Sequence, residues 1–69
     1  MLTFTTINID ENYVEWNFEC IEDLRKMWYA EDYVGPGADD PVTEMEFHGQ
    51  PMYVGCFDDI VKLFGLEEA

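Results

Sequence analysis

The sequence predicts an α+β fold in which a four-stranded antiparallel sheet carries two helices on one face. Three observations predict it. Apolar and polar residues alternate strictly in two stretches, which is typical of half-buried strands. Two segments with helical periodicity each follow a pair of predicted strands, so the element order is ββα–ββα. The length of 69 residues predicts a single domain, 1–69.

The first predicted unit spans residues 2–32. Residues 2–9 are rich in Thr, Ile and Phe, which favours a strand, and residues 10–12 supply the polar residues of a turn. Residues 14–19 alternate between apolar and polar side chains and predict the second strand. An amphipathic helix is then predicted from the periodicity of Ile21, Leu24 and Trp28.

The second predicted unit spans residues 42–66. Residues 43–47 alternate again, residues 48–51 are predicted to form a hairpin turn, and residues 52–55 take the place of the second strand. Between the units, residues 33–41 contain Gly, Pro and paired Asp and predict a surface loop.

The two helical segments resemble each other in sequence. Residues 20–28 and 56–64 share the order Cys, apolar, acid, Asp, aliphatic, any residue, Lys, aliphatic or thioether, aromatic. An internal duplication explains this match, and so does the coincidence of two amphipathic helix starts. The spacing predicts ion pairs from Glu22 to Lys26 and from Asp58 to Lys62, which leaves Arg25 without an acid four residues earlier. Gly65 is predicted to cap the second helix.

Residues that could support catalysis or metal binding are few. Cys20 and Cys56 are predicted to be buried core thiols, because free cysteine is among the most buried residue types. With His48 they do not have the spacing of a zinc site, and no glycine-rich phosphate loop is present. We therefore expect neither a metal nor another cofactor. We also expect no enzymatic activity, because a catalytic carboxylate needs a desolvated pocket.

Charge is the most unusual property of the chain. Sixteen acidic residues against three basic ones give a net charge of −13, which opposes compaction. We expect that this charge is maintained because the protein binds a basic partner. Direct contact with nucleic acid or an anionic membrane is not expected, since both repel such a surface. The lack of a signal peptide or a long apolar run predicts a cytoplasmic protein, either a monomer or a weak dimer.

The alternation also predicts where the carboxylates point. Glu15 with Glu19, and Glu44 with Glu46, should form rows on the sheet face that the helices leave uncovered. The acids of the turns, the loop and the tail at 67–68 should extend the charge around the rim, while the basic residues stay on the helices. The predicted partner-binding residues are acidic, with one tyrosine: Asp10, Glu11, Glu15, Glu19, Asp39, Asp40, Glu44, Glu46 and Tyr53. An ordinary solvated face is the alternative.

The aromatic residues allow a second kind of contact. Trp28 is expected to close the core, whereas Tyr29, Tyr33 and Tyr53 could each lie in the core or at an interface. Exposed tyrosines beside carboxylates would suit a partner that carries arginine, through ion pairs and cation–π contacts.

In size and charge the whole chain resembles the small acidic inhibitors made by bacteriophages, which include anti-CRISPR proteins, anti-restriction proteins and uracil-DNA glycosylase inhibitors. No motif of any one family is matched, so no functional residue is carried over. The resemblance implies a nucleic-acid mimic, with anti-CRISPR as the preferred class, that binds a basic nucleic-acid-binding protein such as a CRISPR effector subunit in the host cytoplasm. The alternative is an adaptor or antitoxin-like interaction module that binds through a strand edge or exposed tyrosines.

Overall fold

The computed structural model describes residues 1–67 and confirms the predicted α+β fold. The elements follow in the order β1 (Leu2–Ile7), β2 (Tyr13–Phe18), α1 (Ile21–Trp28), β3 (Val42–Phe47), β4 (Gln50–Pro51) and α2 (Phe57–Leu63). The four strands form one antiparallel sheet with the order β2-β1-β3-β4. The predicted tail acid Glu68 lies outside the described residues.

The strand order places the first strand of each ββα unit at the centre of the sheet and the second strand at an edge. Two equivalent units lying side by side would produce this order. The units differ in their hairpins, because β2 has six residues and β4 has two. The duplication itself stays a prediction.

The hydrophobic core lies between the sheet and both helices. The ring of Phe4 in β1 stacks on Phe18 of β2 and on Phe57 of α2, with centroids 6.0 and 5.7 Å apart. Trp28 is half-buried and packs against Phe57, as expected of a residue that closes the core. The buried apolar residues come from both central strands, both helices and the segment after α2: Leu2, Phe4, Leu24, Met45, Phe57, Ile60, Val61 and Leu66.

One polar residue, Thr6, is buried beside this core. Its hydroxyl accepts a hydrogen bond of 3.0 Å from the indole nitrogen of Trp16 on the neighbouring strand. The bond satisfies two groups that would otherwise be costly to remove from water. It also fixes the Trp16 side chain on the face of the sheet that the helices cover.

The prediction that both cysteines are buried core residues is wrong. Cys20 and Cys56 are the N-cap residues of α1 and α2, with extended φ values of −151° and −145°; Cys20 is exposed and Cys56 half-buried. An N-cap residue precedes the first helical turn, so it lies outside the apolar stripe that the helix buries. At α2, the Asp59 carboxylate accepts the backbone N–H of Gly55 at 2.9 Å and of Cys56 at 3.3 Å.

Only one of the two predicted helical ion pairs forms. Lys62 lies 2.9 Å from Asp58, as predicted. Glu22 instead pairs with Arg25 at 3.5 Å, and Lys26 has no carboxylate within 4.0 Å among residues 1–67. Positions three and four residues away are both neighbours on a helix, and the planar guanidinium competes well for a carboxylate.

The bounds of β1 and β4 differ from the prediction by two residues or more, whereas those of β2 and β3 differ by one. β1 ends at Ile7 because the Asn8 side-chain oxygen accepts the backbone N–H of Asp10 and Asn12, at 2.9 and 3.0 Å, and starts the turn there. Ile9, predicted to be in the strand, is consequently 95% exposed.

In the second hairpin, the turn consists of only two residues. His48 and Gly49 have positive φ values of 53° and 79°, which suits a tight two-residue hairpin turn. β4 therefore begins earlier than predicted, and it ends at Pro51, which has no N–H to donate to the ladder. Of the predicted strand 52–55, Met52 still donates its N–H to the Met45 carbonyl at 2.9 Å.

Candidate interaction surface

The side of the sheet opposite the helices is the candidate interaction surface, and we call it the open face. Alternation along each strand fixes its membership, since residues that flank a core position point the other way. Its strand residues come from β1, β2 and β3: Thr3, Thr5, Ile7, Tyr13, Glu15, Asn17, Glu44 and Glu46.

Three carboxylates lie in a fixed arrangement on the open face. Glu15 and Glu44 both pair with Thr5, one from each side, so their backbones are about 9.6 Å apart, or two strand spacings. Glu44 and Glu46 follow each other along β3 at about 6.6 Å. Glu15 is thus separated from the Glu44–Glu46 row by the threonines of β1, because β1 lies between β2 and β3. The predicted row of Glu15 with Glu19 does not form within the sheet, since β2 ends at Phe18.

A shallow depression of about 300 Å³ occupies the middle of the open face. Its lining includes Thr5, all three glutamates and Tyr53, which follows β4 and is 93% exposed. The structure therefore brings four of the predicted binding residues together: Glu15, Glu44, Glu46 and Tyr53. The depression is open to solvent, so an elongated side chain of a partner could enter it.

Within residues 1–67, the open face carries no lysine or arginine side chain. All three basic residues of the chain are on the helices, Arg25 and Lys26 on α1 and Lys62 on α2. Lys62 is further engaged by Asp58, whose hydrogen bond and negative charge raise the pKa of its ammonium group. The helices pack on the other side of the sheet, so their charges leave the open face unneutralised.

The remaining predicted binding residues are dispersed. Asp10 and Glu11 are exposed in the turn between β1 and β2, Glu19 is exposed one residue beyond β2, and Asp39 is exposed in the loop after α1. Asp40 has a structural role instead, because its carboxylate accepts the N–H of Gly37 at 2.9 Å. These acids can contribute to the field around the open face, but they do not form part of it.

Two of the three tyrosines in question are engaged in the fold. Tyr29 donates its hydroxyl to the carbonyl of Leu66, and Tyr33 donates its hydroxyl to the carbonyl of Pro36 at 2.6 Å. Partial burial, and to a smaller extent the charge of Asp40, raise the pKa of the Tyr33 phenol. Within residues 1–67, the Tyr53 hydroxyl forms no hydrogen bond of this kind.

Sequence reasoning missed four members of the open face: Thr3, Thr5, Ile7 and Tyr13. Tyr13 is 70% exposed and begins β2 one residue before the predicted start, while Thr3 and Thr5 fill the centre of the face. The signal for the threonines was present, because Thr alternates with Leu and Phe at the start of β1. His48 occupies the hairpin turn, as predicted, with its Nδ1 3.3 Å from the N-terminal amine.

Two further properties concern residues 1–67 alone. In that range, no three His, Cys, Asp or Glu side chains are grouped as ligands for a metal ion. The same range contains no helix that is long and apolar enough to cross a membrane.

Comparison with known proteins gives one informative relationship. The chain is similar to a conserved domain protein from Streptococcus pneumoniae TIGR4 whose crystal structure has been solved, with a TM-score of 0.71 and 27% sequence identity. The similarity covers 100% of this chain and 92% of the pneumococcal chain. Neither a protein-family model nor a curated protein matches the sequence.

Proposed function

We propose that the protein binds a cationic surface of another protein through its open face, and that this surface is one that normally binds nucleic acid. The observation that carries the proposal is the set of three exposed carboxylates, Glu15, Glu44 and Glu46, on a sheet face without a basic residue. The chain's net charge of −13 extends the negative field beyond that face.

A sheet is a suitable frame for imitating a phosphate backbone. Proteins that bind nucleic acid gain much of their affinity by neutralising phosphates with lysine and arginine. Glu15 and Glu44 are carried by strands that both pair with the central strand β1, so their backbones are held before a partner arrives. Binding then requires little ordering of the main chain, which lowers its entropic cost.

The exposed tyrosines extend the chemistry beyond charge. Tyr53 lines the same depression as Glu44 and Glu46, and Tyr13 lies at the edge of the open face. A guanidinium group can bind a carboxylate in its plane while its flat side stacks on an aromatic ring. The proposed target surface is therefore rich in arginine as well as lysine.

The narrower proposal is that the protein is an inhibitor of the phage-encoded kind, with an anti-CRISPR role preferred. Its support is the small size and the acidic character of the chain. Such an inhibitor would act in the cytoplasm, where CRISPR effectors meet nucleic acid. The pneumococcal protein is described as a conserved domain protein, and those words assign it no inhibitory role.

The test is capture of a partner followed by competition. Immobilised protein is exposed to purified nucleic-acid-binding proteins, CRISPR effectors among them, and the bound fraction is challenged with DNA and with RNA oligonucleotides. The proposal predicts that oligonucleotides displace the partner and that affinity falls steeply as salt rises. A partner that stays bound in the presence of excess DNA and RNA would contradict nucleic-acid mimicry.

A further inference from the structure

The two edges of the sheet differ in how well they are protected. β4 has two residues, ends at Pro51 and lies beside a strand whose pairing with β1 skips Thr43. Short strands, prolines and irregular pairing are the usual means by which proteins block an edge. β2 has six residues, pairs with β1 along its whole length in regular register and contains no proline or lysine.

The hydrogen bonds of the central strands show which groups β2 directs outward. The His48 N–H donates to the Met1 carbonyl at 2.9 Å, so Met1 and His48 occupy a hydrogen-bonded position at the end of the β1–β3 ladder. Because such pairs alternate along an antiparallel ladder, Thr3 and Thr5 also direct their backbone groups toward β3. The intervening residues of β1 must then bond to β2. Leu2 pairs with Phe18, Phe4 with Trp16 and Thr6 with Val14.

It follows that the other three residues of β2 direct their backbone away from the sheet. These are Tyr13, Glu15 and Asn17, and none of their N–H or C=O groups has a backbone partner outside the β1 ladder within residues 1–67. The same three residues place their side chains on the open face. The row beside them, which includes Trp16, is only half-buried and presents apolar surface on the helix side.

We propose that β2 accepts an extended segment of another protein as a fifth strand, and that basic and apolar residues alternate in that segment. Basic side chains would lie beside Glu15 on the open face, and apolar side chains would lie beside Trp16 on the helix side. Main-chain bonds would provide affinity and the alternate side chains specificity, as in other strand additions. A second copy of this chain is disfavoured, since each copy carries a net charge of −13.

Amide hydrogen exchange tests this proposal residue by residue. The probe is a synthetic peptide of six residues in which lysine and valine alternate, matched in length to β2. In the free protein, the amides of Tyr13, Glu15 and Asn17 should exchange rapidly, whereas that of Trp16 is protected by β1. At saturating peptide, those three amides should slow by at least about tenfold.

The matched control is the same peptide with alternate backbone nitrogens methylated, which keeps its charge but removes the donors that a new ladder needs. It should give no protection of the three amides. Protection by both peptides, or by neither, would overturn the proposal. Protection that depends on protein concentration without peptide would overturn it as well, because β2 would then pair with a second copy.

A variant separates this inference from the proposed function. Asn17→Pro removes one outward N–H without changing the charge, and proline is tolerated at an edge where that group faces solvent. It should bind the lysine–valine peptide more weakly than the wild type does, because the edge has lost a donor while the net charge is the same. The oligonucleotide competition on the wild type tests the proposed function, so the two proposals can fail independently. Equal binding of the peptide to the variant and to the wild type would contradict strand addition at β2 without bearing on the proposed function. If the variant fails to fold, the methylated peptide still decides.

Discussion

The two faces of the sheet are built from the same alternating strands, yet their residues are constrained in different ways. On the covered face, Leu2, Phe4 and Met45 are buried against both helices, and their packing stabilises the fold. On the open face, the residues between them are threonines and glutamates in contact with water. The covered face is explained by folding alone.

Folding does not explain the open face. Glu44 and Glu46, about 6.6 Å apart, repel each other without a basic neighbour, so their presence lowers the stability of the sheet. A surface kept only for solubility usually mixes both signs, with a net charge of roughly 2 to 8 in magnitude for a small domain. The proposed binding at the open face would account for this difference between the faces.

The largest effect is expected from a change on the covered side. Phe57→Ala removes a fully buried ring that contacts Phe4 and Trp28, and such truncations cost about 3–5 kcal/mol. A domain of this length has a total stability of roughly 3–10 kcal/mol, so the variant should be largely unfolded at 37 °C. Circular dichroism during thermal unfolding measures this, and a melting temperature close to that of the wild type would contradict the core we describe.

A smaller loss of stability is expected from a substitution that distinguishes the covered side of β1 from its open side. Thr6→Val keeps the shape of a buried side chain but leaves the indole N–H of Trp16 without its acceptor, which should cost about 1–3 kcal/mol. The matched control is Thr5→Val, one residue away on the open face, where the change should stay within about 0.5 kcal/mol. Urea denaturation followed by tryptophan fluorescence measures both, and equal losses would mean that the two faces are not distinct.

The success of the sequence analysis follows the same division. Composition predicted β1, while alternation predicted β2 and β3 and helical periodicity predicted both helices, because burial on one side leaves a periodic pattern. It could not predict the distance between Glu15 and Glu44, because that distance depends on which strand lies between them. Strand order is a long-range property, and no local pattern contains it.

The errors came from positions where a local bond decides the structure. The side chain of Asn8 ended β1 two residues early, and the His48–Gly49 turn started β4 before the predicted strand. Cys20 and Cys56 were assigned to the core from their residue type, although both precede a helix and act as N-caps. Asp40 was assigned to the binding surface from its charge, whereas its carboxylate holds a turn.

The loop between α1 and β3 offers a test with a smaller effect on stability. Tyr33→Phe removes the hydrogen bond to the carbonyl of buried Pro36 and should cost about 1 kcal/mol near neutral pH. The raised pKa of Tyr33 means that the folded protein holds the phenolic proton more tightly than the unfolded chain does. The Tyr33 phenol therefore contributes to the free energy of unfolding below pH 10.0, its ordinary pKa. That contribution is lost as the pH rises through the pKa of Tyr33 in the folded protein.

The measurement is the difference in unfolding free energy between the wild type and Tyr33→Phe, taken from pH 8 to 11. Lys62, whose pKa is also raised, is present in both proteins, so its alkaline effect cancels in the difference. The difference should shrink above about pH 10 as the wild type loses the phenolic proton. A constant difference across that range would contradict the environment of Tyr33 that we describe.

The smallest effect concerns charge on the open face. The face variant carries Glu15→Gln, Glu44→Gln and Glu46→Gln, and the control variant carries Glu31→Gln, Asp32→Asn and Glu67→Gln after the two helices. Both lose three negative charges. At low salt the face variant should melt a few degrees above the wild type, because close carboxylates no longer repel each other.

Added salt should remove most of that advantage, since the screening length falls to about 8 Å at 0.15 M and the wild type gains stability. The control variant should gain less at low salt. Differential scanning calorimetry across a salt series makes the comparison. A wild-type melting temperature that does not rise with salt would contradict a dense acidic surface.

The most direct test of the open face as the binding surface is the affinity of the face variant and of the control variant for one captured cationic partner. Titration calorimetry at fixed salt compares two proteins of equal net charge that differ only in where charge was removed. We predict that the face variant loses most of its affinity and that the control variant binds nearly as the wild type does. Equal weakening of the two variants would mean that the partner senses overall charge, and unchanged binding of the face variant would place the contact elsewhere.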